Sequence, residues 1–206
     1  MSLPIEYRIP ALIESIKDRF AQGETTDDAG GKEIRKIVSL LEPLPPLTGR
    51  FHTSSHPAIR HIKAITKTGN ASMNALLDEI LPIAPSLPWH YNYPLHKNLP
   101  ELGQDIAFAE IIGPEAPFRS DSVCLGLTLI GKEILYPAHY HPAIELYYVV
   151  TGTATWTLNG ISHNSPPGTY ILHPSMSIHA METREEPLLA IYTWSGPDIR
   201  TSSRYT

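Results

Sequence analysis

From about residue 104 the chain changes texture, and that change constrains the fold more than any single motif. Six short β-type runs follow one another: DIAFAEII, SVCLGLTLI, AIELYYVV, TATWTLN, GTYILH and LLAIYTW, with Gly, Pro and Asn between them. Short strands at this spacing predict an antiparallel sandwich or barrel. The residues before them carry helical periodicity instead. Ile9, Leu12, Ile13, Ile16 and Phe20 fall on one stripe, and Ile34, Ile37, Val38 and Leu41 on another. Pro43, Pro45 and Pro46 stop the second helix. Ile59, Ile62 and Ile65 mark a third helix between Pro57 and Gly69, and Leu76, Leu77, Ile80 and Leu81 a fourth before Pro82. LPIAPSLPWHYNYPLHKNLP then reads as an irregular connection or a lid. The expectation is a mainly β protein, with a helical extension and lid segment over 1–100 and a small antiparallel barrel over 101–206.

Charge and composition narrow the function. The 206 residues hold 16 Lys and Arg against 21 Asp and Glu, a net charge of −5. The basic residues are scattered, and the N-terminal helices present no basic recognition face, so no nucleic-acid partner is expected. No apolar run approaches the ~18 residues that span a bilayer, and the N-terminus lacks the pattern of a secretory signal. These features predict a cytoplasmic protein with no membrane contact. The single cysteine, Cys124, excludes an intrachain disulfide and reads as buried filler.

The chemistry concentrates in YPAHYHPAIELYYVVTG, residues 136–152. His139 and His141 are two apart and share a face if they lie on a strand. Glu145 returns to that face if the strand stays regular, and Tyr147 follows it. An inward glutamate is costly unless paired or bound to a cation. Imidazole and carboxylate together suit a divalent transition metal such as Fe, Zn, Mn, Ni or Co. A further ligand is sought among His163, His173 and His179. His163 lies in a turn-rich stretch, and His173 precedes Pro174 at the end of its strand, so His179 is the better candidate. A lone histidine is usually structural. The case for a metal rests on His139, His141, Glu145 and Gly152 together with the downstream Gly168-x5-Pro174-x4-His179.

Those residues resemble the two motifs of the cupins. Met176 stands where cupins often have Gly and Thr183 where they often have Asn, and the spacing from Gly131 to His139 is longer than usual. The fuller pattern, Tyr136-x2-His139-x-His141-x3-Glu145-x-Tyr147 followed by HPSMSIHAMET and LLAIYTWSG, is similar to the cupin-type dimethylsulfoniopropionate (DMSP) lyases of the DddQ-like group and their relatives. The resemblance implies a C-terminal cupin and a metal held by His141, Glu145 and His179, with His139 a ligand or near-ligand. It implies Tyr147 as the catalytic base, Tyr136 assisting at the metal or holding the substrate, and Trp194 and Tyr192 lining the substrate pocket. The implied reaction is a β-elimination of DMSP to dimethyl sulfide and acrylate, with a small molecule as partner and a homodimer as a possible assembly. A cupin dioxygenase or isomerase acting on a small carboxylate, and a non-enzymatic cupin that binds a ligand, are the competing readings.

Overall fold

A computed structural model describes residues 4–23, 27–67, 70–91, 93–94 and 96–206. Helices α1 (Ile5–Gly23) and α2 (Ala29–Leu40) come first, and Asp28 caps α2 by accepting from the Gly31 N–H at 2.9 Å. The expected third helix is instead a 3₁₀ helix, Pro57–Ala64. Its apolar residues, Ile59, Ile62 and Ile65, recur every three positions. That spacing suits three residues per turn rather than 3.6. Gly69, taken as its end signal, lies outside the described residues. Helix α3 (Ala71–Ile80) and a 3₁₀ turn, Ala84–Ser86, complete the helical part.

Strand β1 (Trp89–His90), the short helix α4 (Leu102–Asp105), and strands β2 (Ile106–Gly113), β3 (Phe118–Arg119) and β4 (Val123–Ile130) follow. Next come β5 (Leu135–Tyr140), β6 (Ile144–Thr151), β7 (Ala154–Leu158) and β8 (Ile161–Ser165). The last strands are β9 (Tyr170–His173), β10 (His179–Thr183), β11 (Leu188–Ser195) and β12 (Arg204–Tyr205). They form two sheets, one ordered β1-β2-β4-β11-β6-β9 with β3 paired to β2, the other β12-β5-β10-β7-β8. The ladders do not close into a continuous barrel. The two sheets face each other as the double layer of a cupin jelly roll.

Two-residue alternation sorts the central strands. On β6, Leu146, Tyr148 and Val150 join the core shared with the helices, while Tyr147 and Val149 belong to the core between the sheets. On β11, Leu189 and Ile191 face the helices, and Ala190, Tyr192 and Trp194 face inward. The helical stripes supply the rest of the outer core: Ile9, Leu12, Ile13, Ile16 and Phe20 are each at most 1% exposed. With both faces covered, β4 and β11 are buried along their whole length. Cys124 is buried there as expected.

Candidate active site

The candidate residues meet between the two sheets, by a route different from a single regular strand. Strand β5 ends at Tyr140, and the chain crosses at His141–Ala143 to the opposite sheet, where β6 begins. His139 therefore projects from one sheet and Glu145 from the other, with His141 at the corner. The corner is pinned from outside: the Met176 N–H donates to the His141 carbonyl at 2.9 Å and the Ser175 hydroxyl to the Pro142 carbonyl at 2.6 Å. Met176 takes φ +62°, the left-handed conformation for which a glycine at this position serves. Thr183 ends β10 by donating to the Gly131 carbonyl at 2.5 Å and accepting from the Ile134 N–H at 3.0 Å.

Glu145 is opposite His173 of β9 and Trp194 of β11. The Trp194 indole donates to its Oε1 at 2.7 Å. Its Oε2 accepts from His141 Nε2 at 3.2 Å and from His173 Nδ1 at 3.1 Å, and His179 Nε2 lies 3.4 Å away. His179, on β10, is paired with His139 of β5. One ligand atom each from His141, Glu145 and His179 fall within 4.8 Å of one another, and all three residues are buried.

Backbone carbonyls orient the imidazoles. Nδ1 of His139 donates to Pro137 O at 2.7 Å, Nδ1 of His141 to Ala143 O at 3.0 Å, and Nδ1 of His179 to Ser177 O at 2.9 Å. Such bonds leave Nε2 as the donor atom offered to a metal. His179 Nε2 is buried without a hydrogen-bond partner and faces a carboxylate. Two electron-rich atoms at that separation fit together when a cation lies between them. His141 has acceptors at both ring nitrogens. Burial disfavours its charged form, but Glu145 outweighs burial and raises its pKa, which favours a proton in the bond that a metal could replace. Glu145 itself is held well below the usual carboxylate range, because His141 and the other imidazoles overcome the cost of burial. Burial drives the other way at His139, pushed down to about 3 with help from His179, and at His173, pushed down to about 4.

The aromatic residues surround this cluster. Tyr136 stacks on His139 at 4.1 Å between ring centroids, and Tyr147 packs edge-on to His173 at 5.7 Å. Burial raises both phenols well above their ordinary pKa, and Glu145 adds to the rise at Tyr147. Tyr192 and Trp194 line a cavity of about 630 Å³ beside the cluster, with Tyr93 and Phe108. Of the remaining histidines, His163 is exposed on β8, His96 packs on Tyr205 at 4.8 Å and His90 donates from Nδ1 to Pro88 O at 2.8 Å. Tyr148 turns away from the site, its hydroxyl donating to Met73 Sδ at 3.2 Å. Trp156 packs on Tyr147 at 4.7 Å.

His179 belongs to the three-residue group, and His173 lies beside it. His173 is fully buried, bonds Glu145 and stacks on His179 at 3.9 Å. The signal lies in Pro174. A residue before proline is steered into extended backbone, which carries β9 up to His173, directly across from Glu145.

Comparison with known proteins gives a consistent answer. The dimethylsulfoniopropionate lyase family model matches residues 31–190. Dimethylsulfoniopropionate lyase DddQ of Ruegeria pomeroyi is 34% identical over 93 residues, 45% of this chain and 46% of that protein. Putative dimethylsulfoniopropionate lyase DddL of Cereibacter sphaeroides is 25% identical over 172 residues, 82% of this chain and 72% of the relative. The match thus spans under half of the first relative's length. Among solved structures, a chain described with the DMSP lyases RdDddP and RnDddQII superposes with TM-score 0.80 at 23% identity, over 98% of both chains. The DMSP lyase DddQ from Ruegeria pomeroyi superposes with TM-score 0.67 at 26% identity, over 88% of this chain and 98% of the other.

Proposed function

Because the chain belongs to the dimethylsulfoniopropionate lyase family, we propose that it cleaves DMSP to dimethyl sulfide and acrylate, using a divalent metal held by His141, Glu145 and His179. The observation that carries this reading is the convergence of those three ligands beside a buried tyrosine, Tyr147. His139 and His173 flank the three and complete the polar ring.

A cation at these ligands would grip the substrate carboxylate and draw off negative charge as the neighbouring carbon loses its proton. The chain's residues do the rest. Tyr147, as phenolate, takes the proton from the carbon next to the carboxylate. The C–H electron pair forms the C=C bond of acrylate, the C–S bond breaks, and its electrons leave on sulfur as neutral dimethyl sulfide. Burial and Glu145 oppose the phenolate, and a cation held by His141, Glu145 and His179 would offset both. Tyr136 stays protonated by burial and is suited to donate a hydrogen bond to the substrate carboxylate. The water-poor interior between the sheets strengthens each of these interactions.

Product stoichiometry tests the reading. The metal-loaded protein is expected to give acrylate and dimethyl sulfide in equal amounts from DMSP, with no change at an oxygen electrode. Oxygen uptake during turnover, or loss of DMSP without acrylate, would move the protein to a cupin oxygenase or another reaction.

A further inference from the structure

Strand pairing places Glu110, Gly126, Tyr192 and Tyr147 in one row across β2, β4, β11 and β6. Residues directly opposite share a face of the sheet, and Tyr147 and Tyr192 belong to the core between the sheets. Glu110 therefore stands on the inward face, at the far end of the row that begins at the proposed base. Gly126 sits between: a Cβ there would come within 2.6 Å of the Tyr192 ring, so only glycine lets the ring lie over β4 toward Glu110. Glu110 lines the same 630 Å³ cavity as Tyr93, Phe108, Tyr192 and Trp194. Phe108 is 5.2 Å from Tyr93 and 6.2 Å from Tyr192 between centroids, so the aromatic wall is continuous.

A half-buried carboxylate in an aromatic wall is costly without a positive partner. Glu110 accepts hydrogen bonds from the Cys124 thiol and the Glu115 backbone N–H, but among the described residues the cation acting on it is Arg200, whose guanidinium is already paired with Asp121 at 2.5 Å and Glu115 at 3.4 Å. Burial accordingly raises the Glu110 carboxyl pKa. Trp194 links this wall to the ligand cluster, since its indole N–H holds Glu145 while the residue lines the cavity.

We propose that Glu110 is the counter-charge for the cationic end of the substrate, and that Glu110, Tyr93, Phe108, Tyr192 and Trp194 form a subsite for a trialkyl onium group. The inference rests on the reading of the site as one for an onium carboxylate. It assigns the two ends to opposite places, the carboxylate to the metal-ligand cluster and the onium to the aromatic wall. Ring faces attract such a cation without choosing its direction, while the carboxylate adds a directed charge.

The test uses the full-length, metal-loaded protein. In Glu110→Gln, KM for DMSP should rise ~10- to ~100-fold, as expected for loss of a partly desolvated charge partner, while kcat moves less than about threefold. Glu110→Asp, which keeps the charge, should lie between the two. Trimethylsulfonium, a cation without a carboxylate, should bind the wild type in calorimetry and lose that binding in Glu110→Gln. 4-Methylpentanoate, which keeps the carboxylate and replaces the sulfonium by a neutral CH, should bind both proteins alike. Unchanged KM, or trimethylsulfonium binding indifferent to Glu110, would overturn the subsite. If the wild type releases no dimethyl sulfide, Glu110-dependent binding of trimethylsulfonium still supports the subsite and only the DMSP reading falls. If Glu110→Gln does not fold, the wild type decides alone: tert-butanol binding as tightly as trimethylsulfonium would refute a charge-selective site.

Discussion

Glu145 accepts from His141, His173 and the Trp194 indole, and removing any one of them leaves a buried carboxylate short of a donor. Trp194→Phe keeps an aromatic ring, smaller than the indole, and deletes the N–H. It is expected to lower stability by about 1–3 kcal/mol and to weaken metal retention, read by thermal melting and by metal content after dialysis. An unchanged melt and full metal content would mean that the 2.7 Å bond does not orient the carboxylate. The buried histidines predict a pH dependence in chelator-treated protein. His139 and His173 are pushed down to about 3 and about 4, so between pH ~4 and ~6.5 the unfolded chain binds more protons than the folded one. Stability then falls as pH drops through that window, by up to about 1.4 kcal/mol per pH unit for each imidazole. Glu145, depressed, adds its own loss only as pH falls below about 4.5. His141 acts in the opposite direction, because its raised pKa gives stability that is full below ~6.5 and is lost as pH rises through the folded value. A melting temperature flat from pH 7 to 4 would contradict these assignments.

At the scale of elements, most of the fold is written in periodicity, and the exceptions have identifiable causes. The stripes at 9–20 and 34–41 and the β-type runs at 105–112, 143–150 and 188–194 became the helices and strands their patterns imply. Strand β8 (Ile161–Ser165), exposed at four of its five residues, carries too little apolar alternation to announce itself. Strand β12 is two residues long and exists through its pairing with β5, a contact no local pattern encodes. The site was legible as a set of residue types, but a regular strand is not what unites them. Pro142 follows His141, and the chain turns from one sheet to the other before Glu145, so the candidate ligands converge from facing sheets. Turn geometry is where single substitutions should act most sharply. Gly152 has φ +83°, and a Cβ there would press on the Pro187 carbonyl and come within 3.0 Å of Leu188 Cα. Gly152→Ala is expected to cost more than about 1 kcal/mol, seen as a drop in melting temperature. A variant melting with the wild type would show that the β6–β7 turn tolerates a side chain.

Across the whole molecule, the helices and the site are tied through one sheet. Its outer face presents Leu125, Leu127, Leu146, Tyr148, Val150 and Ile191 to the helices, and its inner face presents Glu145, Tyr147 and Trp194 to the interior between the sheets. The tie is polar as well as apolar. Ser195, next to Trp194, accepts from Lys36 at 2.8 Å and donates to Glu33 of the same helix. Removing residues 1–41 would uncover that apolar sheet face and is expected to give an aggregating protein, whereas a folded, monodisperse fragment in size-exclusion chromatography would show that the cupin layer stands without α1 and α2. The central claim is that the ligand cluster and Tyr147 act together on DMSP. Its most direct test is headspace dimethyl sulfide from wild type and Tyr147→Phe at equal metal loading. Release by the wild type, falling by at least about 100-fold in the variant, is the predicted result. Equal release from both proteins would remove Tyr147 as the base, and no release from folded, metal-loaded wild type would contradict the assignment of DMSP as substrate.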